Sequence, residues 1–220
     1  MGAVAVAVLV VVAIVSLSGG DAIELPGLSD ETPETPEFAF EAAQPRAVET
    51  AAKPQHQVAN AAAQAPAKAV TQRLDDLYTA AFLDPGNWME GSYDDVLEFF
   101  AGDARDAAEE QLDVLTAGPS AGEAFDSIRP MPSTLKVRVL IDPAGAPHAV
   151  QGSARFVARG SGTGPRVTLV SKGQFIFEKA DGDWLVVAFS VERKDVESDE
   201  GPSASSSGSA SAGPTESEAS

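Results

Sequence analysis

The stretch Arg166–Lys179, which reads RVTLVSKGQFIFEK, decides the fold because apolar and polar side chains alternate along it. The apolar side chains of one parity are Val167, Leu169, Phe175 and Phe177. A period of two is that of a half-buried β-strand. The stretch Trp184–Arg193 (WLVVAFSVER) is apolar on both parities, and the Asp181-Gly182-Asp183 segment before it is typical of a short hairpin turn, because Gly and Asp accept positive φ. We therefore expect two long antiparallel strands.

Two further strand-like stretches precede this hairpin. They are Leu135–Ile141 and His148–Ala158, and turns that contain Gly or Pro separate all four stretches. A two-stranded hairpin is marginally stable in water, so the strands need helices that cover one face. The predicted fold class is α+β, with N-terminal helices packed on a curved four-stranded antiparallel meander.

Three helices are predicted ahead of the strands. The first begins near residue 67, carries an apolar stripe that includes Leu74, and stops at Pro85. The second opens at Ser92 and the third at Asp103, because their side-chain oxygens can accept hydrogen bonds from free amides of a first helical turn. The inward Phe residues of the hairpin are expected to pack on the first helix.

Composition divides the chain into four parts. Residues 1–18 form an apolar run, and residues 19–66 form a linker rich in Ala, Pro and Glu that we expect to be disordered. Residues 67–196 are the predicted α+β domain, and residues 197–220 form a Ser-, Gly- and Ala-rich acidic tail that we also expect to be disordered. About 130 residues are enough for a single hydrophobic core.

The apolar run at residues 1–18 predicts a membrane segment. As a helix it would span roughly 24 Å, which favours a single-pass anchor in the cell membrane. The first charged residues after it are all acidic, so we expect the folded domain on the extracytoplasmic side. The alternative is a cleaved signal peptide and a secreted domain, because Ser16 and Ser18 suit a cleavage site. The run lacks a preceding Lys or Arg, and we expect the natural chain to begin upstream.

The overall composition excludes several kinds of chemistry. The chain of 220 residues has no Cys, which excludes disulfides, thiolate metal sites and a Cys nucleophile. The formal net charge is -18. Because neutralisation of phosphates by Lys and Arg supplies most of the affinity for nucleic acids, this acidity predicts that nucleic acid is not a partner.

Helices followed by a meander of long strands resemble the nuclear transport factor 2-like superfamily over about residues 68–193. The resemblance rests on the Asp84-Pro85-Gly86 stop, the mid-strand Gly173 and the closing patterns Gly173–Phe177 and Asp181–Val186. It implies a cone in which a curved sheet wraps the first helix. The short strand that members often carry between the second and third helices is missing.

With an anchor and a linker, the chain is similar to envelope members of that superfamily, such as mammalian-cell-entry-associated proteins and the inner-membrane scaffold of type IV secretion systems. The resemblance implies an accessory or assembly role with a protein partner in the envelope. It leaves open whether the cone holds a small ligand and whether the chain forms a homo-oligomer.

Enzymes of the superfamily need a base and an acidic donor inside the cone. No carboxylate shares the inward parity of the first three strands. Tyr78 resembles a donor Tyr of the isomerases in position, and without a base we expect it to be a core residue with its hydroxyl at the rim of the cavity. His148, at a strand start, is the second candidate at the rim. We predict no enzyme activity, no catalytic residue, no cofactor and no metal; the alternative is a small-ligand-binding or isomerase-like cone.

Charge is distributed unevenly within the predicted domain. Residues 67–131 have 4 basic and 14 acidic residues, whereas residues 132–196 have 9 basic and 6 acidic. Basic residues of the outward strand parity form a candidate interaction face: Lys136, Arg138, Arg155, Arg159, Arg166 and Lys172. This pattern predicts a docking face for an acidic partner or an anionic surface. The alternative is an ordinary solvated sheet face.

Overall fold

The computed structural model describes residues 33–49, 56–142, 144–180 and 182–198. The predicted anchor at residues 1–18 and nearly all of the predicted acidic tail lie outside these residues. Within the described part of the chain, no helix is both long enough and apolar enough to cross a membrane.

Within the described residues, six strands form one mixed sheet. They are β1 (Glu41–Ala42), β2 (Arg46–Glu49), β3 (Ser127–Ile141), β4 (Pro147–Ser161), β5 (Arg166–Ala180) and β6 (Asp183–Ser198). The order across the sheet is β1-β3-β4-β5-β6, and β2 also pairs with β3. The long strands β3 to β6 are antiparallel neighbours, which confirms the predicted meander. The prediction of four strands is corrected by β1 and β2, which both run parallel to β3.

The segment of residues 33–49, which contains β1 and β2, corrects the predicted boundary between linker and domain. Phe40 in this segment is buried, and its backbone N–H donates to the Asp75 carboxylate at 2.8 Å. Ala47 packs against the same core. The predicted disorder is therefore wrong for this segment, because its backbone groups pair with β3 and its apolar side chains are buried by the domain.

The first helix begins earlier than predicted. Helix α1 runs over His56–Tyr78 with Pro66 inside it, and a π-helical segment continues it over Thr79–Leu83. The predicted stop is confirmed, since Asp84 is extended. Its carboxylate then accepts a hydrogen bond from the Gly86 N–H and so begins another short helix, α2. Proline fits this first turn because its missing N–H would have no partner there.

The remaining helices are short. They are α2 (Pro85–Glu90), a 3-10 turn (Val96–Phe99), α3 (Asp103–Glu110), α4 (Leu112–Leu115) and α5 (Ala121–Ala124). The predicted second helix is only this 3-10 turn, and no side chain caps it. The predicted third helix is divided into α3 and α4, and Gly102 rather than Asp103 is the residue before its first turn.

The core lies between α1 and the inner face of the sheet, which we define by the buried residues Leu135, Phe156 and Phe175. A Cβ atom added at Gly152 would lie 2.7 Å from Cδ1 of Leu74 and 3.8 Å from the Phe177 ring. Only glycine therefore allows α1 to approach β4 this closely. The opposite parity of the strands forms the outer face of the sheet.

Candidate functional site

The outer face of the sheet carries all the basic residues of the predicted interaction face. The register of β3, β4 and β5 places Lys136, Arg138, Arg155, Arg159, Arg166 and Lys172 there, and each is exposed. Residues that pair directly across two strands point to the same side of a sheet, so the pairing shows which charges are neighbours.

Three pairs of like charges, counted over the described residues, lie directly opposite one another on this face. Arg155 is opposite Lys172 on β5. The other two pairs are Arg129 with Arg159 and Arg46 with Arg138. Like charges in this position destabilise a sheet because they repel each other. For comparison, a favourable cross-strand pair contributes about 0.2–1 kcal/mol. The sheet therefore folds in spite of these pairs and not because of them.

Two members of these pairs were not found from the sequence. Arg129 precedes the predicted start of β3, and an irregularity between Met131 and Thr134 reverses the strand parity, so that Arg129 faces outward with Arg159. Arg46 lies in the predicted linker and reaches the face only because β2 pairs with β3. No periodicity in the sequence around either residue marks this position.

Acidic residues do not balance the outer face. By strand parity, nine described Lys and Arg residues lie on it, namely Arg46, Arg129, Lys136, Arg138, Arg155, Arg159, Arg166, Lys172 and Lys194. The described acidic residues of the same parity are four, namely Glu41, Glu178, Asp183 and Glu192. The helical side has the opposite charge, since residues 56–126 hold 3 basic and 14 acidic residues.

A depression of about 440 Å³ opens in the middle of the outer face. Its charged lining consists of Lys136, Arg155, Lys172 and Glu192. Its uncharged polar lining consists of Thr134, Ser153, Gln174 and Ser190. All four long strands contribute to it, so the meander as a whole sets its geometry.

A second cavity of about 490 Å³ lies beside Arg193, and here the cation has partners. The guanidinium donates to the carbonyl oxygens of Asp113 at 3.0 Å and Thr116 at 2.7 Å. It also pairs with the Asp195 carboxylate at 2.6 Å, the one ion pair in the described part of the chain. Arg193 therefore ties β6 to the end of α4, and the one cation that lines this cavity already has its partners.

Tyr78 lies in the core as predicted, but its predicted place at a cavity rim is wrong. The residue is 2% exposed, and its hydroxyl hydrogen-bonds to Oγ of Ser171 at 3.3 Å. Burial raises the pKa of Tyr78 to about 12, an effect that the bond to Ser171 partly offsets. The phenol therefore stays protonated at neutral pH and its one polar atom is occupied within the protein.

Aromatic side chains fill the space around Tyr78. Its ring stacks on Phe82 at 5.7 Å and meets the edge of Phe40 at 5.1 Å between centroids. Phe38 packs edge-on against Phe156 at 5.3 Å. Phe38 and Phe40 come from the segment that the sequence assigned to the linker, so their part in the core was not predicted.

Asp75 is the one buried carboxylate in the described part of the chain, with 8% of its surface exposed. Burial raises its pKa above the ordinary value, the bond from the Phe40 N–H lowers it, and the neighbouring charge of Asp76 raises it further. Because the carboxylate accepts from a backbone amide, Asp75 holds residues 33–49 against α1. It does not hydrogen-bond to the Tyr78 hydroxyl, so the two do not form a base and donor pair.

His148 is exposed at the start of β4 and lines neither of the two cavities described above. The described residues contain no group of three or more His, Asp or Glu side chains that could hold a metal ion. The structure thus brings the predicted cations together with Arg46 and Arg129, and it keeps Tyr78 and His148 apart from them.

No protein-family model matches the chain, and no curated protein is similar to it. The residues of the outer face are therefore the basis on which a function can be proposed.

Proposed function

We propose that this protein is a non-catalytic interaction module that presents its outer sheet face to an acidic protein surface. The observation that carries the proposal is the set of three like-charge pairs, in which each cation lies directly opposite another on exposed strands. An acidic partner placed across these pairs would replace repulsion by attraction.

The spread of the charges favours a macromolecular partner over a single small ion. The pair Arg46–Arg138 involves the strands at one edge of the sheet, whereas Arg155–Lys172 lies on the central strands. Complementary charge over such a surface steers association and fixes its orientation. An acidic protein suits it better than a nucleic acid, because its charges can be confined to a patch that matches the outer face, whereas a polyphosphate would also bring its evenly spaced charges against the rest of a chain whose net charge is -18.

The absence of catalysis is supported by how the buried polar groups are used. Tyr78 bonds to Ser171, and Asp75 bonds to the backbone of Phe40. Phe38 and Phe40 pack into the aromatic cluster around Tyr78. Both polar side chains therefore already have partners within the protein.

The module belongs, in this proposal, to the envelope members of the nuclear transport factor 2-like superfamily. Helices packed on a meander of long strands support this assignment. The apolar run at residues 1–18 would anchor the chain in the cell membrane and place the domain on the extracytoplasmic side, where an assembly partner would meet the outer face.

Binding of the full chain to fluorescent poly-L-glutamate tests the proposal. Fluorescence anisotropy at about 20 mM and about 150 mM NaCl should show affinity that falls roughly tenfold or more with salt, because the attraction is screened. The Arg129→Gln/Arg159→Gln variant should bind roughly tenfold more weakly at low salt.

The matched control is Lys68→Gln/Arg105→Gln, which removes two exposed charges from the helical side. It should bind like the unmodified protein. Equal losses in the two double variants would overturn the assignment of the outer face. Binding to phosphatidylglycerol vesicles without binding to polyglutamate would replace the protein partner by a membrane. Self-association in sedimentation that requires Arg129 and Arg159 would replace it by the acidic helical side of a second copy.

A further inference from the structure

The depression in the outer face brings three cations to one point. Arg155 lies directly opposite Lys172, and Lys136 is one pair further along β3, diagonal to Arg155. Directly opposite residues have Cβ atoms about 4.5–5.5 Å apart, and diagonal residues are about 7–8 Å apart. One anion can therefore contact all three side chains, and within the described residues no carboxylate forms an ion pair with any of them.

The charge of the lining suits a dianion. Glu192 lies opposite Lys172 and is the one carboxylate among the lining residues. Three cations against this carboxylate leave an excess of two positive charges. A phosphate monoester carries about -1.5 to -2 at pH 7. The planar guanidinium of Arg155 can bind two of its oxygens at once, and the two ammonium groups act as point charges.

The uncharged lining supplies hydrogen-bond partners for hydroxyl groups on the ligand. Thr134, Ser153, Ser190 and Gln174 supply hydroxyl and amide groups, and no aromatic side chain from the described part of the chain lines the depression. The volume of about 440 Å³ falls in the range of about 300–1,000 Å³ found for small-molecule sites. A bare phosphate would leave most of it empty. Glu192 and Gln174 can accept hydrogen bonds from ligand hydroxyls.

From these observations we infer that the depression binds the phosphate monoester of a polyol, such as an inositol or sugar phosphate. The ligand is either free or the headgroup of a lipid. This inference rests on the proposed function in that it uses the same basic face, and it deepens it by giving the centre of that face a small ligand of its own.

The test uses the full chain and D-myo-inositol 4-phosphate as the probe, with myo-inositol as the neutral control. Calorimetry should show saturable binding of the phosphate and none of myo-inositol. The variant Lys136→Gln/Arg155→Gln/Lys172→Gln should weaken the binding by roughly a hundredfold, because it removes every cation of the depression. Absence of saturable binding by the unmodified protein to both the free phosphate and the vesicles below would overturn the inference.

The matched control is Arg129→Gln/Arg138→Gln/Arg159→Gln, which removes three charges from the same face outside the depression. It should change inositol phosphate affinity by less than roughly threefold, since only long-range attraction is lost. Equal losses in the two triple variants would mean that the whole face attracts the anion and that no discrete site exists. Thermal melting of both variants without ligand checks that each remains folded.

Two comparisons complete the test. The first distinguishes a free phosphate from a lipid headgroup, and the second distinguishes the site in the depression from the proposed function. If the ligand is a lipid headgroup, the protein should bind vesicles with phosphatidylinositol 4-phosphate more tightly than phosphatidylglycerol vesicles of equal charge. If the ligand is the free phosphate, the protein should bind the two kinds of vesicle equally. Polyglutamate binding should fall in both triple variants, whereas inositol phosphate binding should fall only in the depression variant. If the unmodified protein binds inositol phosphate and does not bind polyglutamate, the proposed function is overturned and the site in the depression stands.

Discussion

The two faces of the sheet differ in whether their polar groups have partners within the protein. On the inner side, the Tyr78 hydroxyl bonds to Ser171, and the Arg193 guanidinium has two carbonyl partners and a carboxylate. On the outer side, Arg155 and Lys172 lie opposite each other with Glu192 as the nearest paired acid. Folding requires partners for buried polar groups and tolerates exposed charges without them. The difference separates what stabilises this protein from what is available for binding.

The largest expected effect on stability comes from truncation of the inner Phe residues. Phe175→Ala and Phe177→Ala should each lower the free energy of unfolding by about 3–5 kcal/mol, because each is fully buried and leaves a cavity. Lys172→Ala and Gln174→Ala, on the outer parity of the same strand, should cost less than about 0.5 kcal/mol. Urea unfolding measures both sets, and equal losses would contradict the assignment of the two faces.

A smaller effect is expected from overpacking the inner face at Gly173. A Cβ atom there would collide with the Phe175 ring and lie 3.0 Å from the Tyr78 hydroxyl. Gly173→Ala should therefore cost about 1–3 kcal/mol in urea unfolding. Gly164→Ala is the matched control, since a Cβ atom there meets nothing within 4 Å. A cost at Gly164 equal to that at Gly173 would show that chain flexibility, and not packing, explains the result.

Asp75 tests the rule that buried polar groups need partners. Asp75→Ala should cost about 1–3 kcal/mol, because it leaves the Phe40 N–H without its acceptor. Asp75→Asn keeps an acceptor oxygen and should cost less. If the two variants lose equal stability, the bond to Phe40 does not hold the segment of residues 33–49 in place.

The raised pKa of Asp75 predicts that the free energy of unfolding depends on pH. Because burial raises the folded pKa of Asp75 above 3.8, the folded protein binds more protons than the unfolded chain between the two values. The contribution of Asp75 to stability is therefore lost as pH rises through this window. The free energy of unfolding of Asp75→Asn, relative to the unmodified protein, should increase from pH 4 to pH 7 in urea titrations. A constant difference over this range would contradict the raised pKa.

The smallest expected effect concerns the outer face. Arg159→Gln removes one member of the like-charge pair with Arg129 and should raise the free energy of unfolding by up to about 0.5 kcal/mol at low salt. The gain should vanish near 1 M NaCl, where the Debye length is about 3 Å. Arg105→Gln, on the acidic helical side, should have no such gain. A salt-independent change at Arg159 would mean that packing is responsible and not repulsion.

The sequence alone determined the long strands of the meander, the inward parity of Phe175 and Phe177, and six of the outer cations. These features are local. In a strand with one buried face, every second residue is apolar and faces the core. The residues between them, including these charged ones, therefore face outward.

Only the tertiary structure decided which other residues join these faces. Arg46 reaches the outer face because β2 pairs with β3, and Arg129 because the register shifts between Met131 and Thr134. Phe40 is buried, and Asp75 accepts its N–H, through contacts between segments 35 residues apart. Phe38 and Phe40 alternate with Glu37, Ala39 and Glu41, but so short a run within an Ala-, Pro- and Glu-rich stretch does not distinguish a strand from a linker. The structure of this segment depends on the unpaired edge and the apolar surface of the rest of the fold.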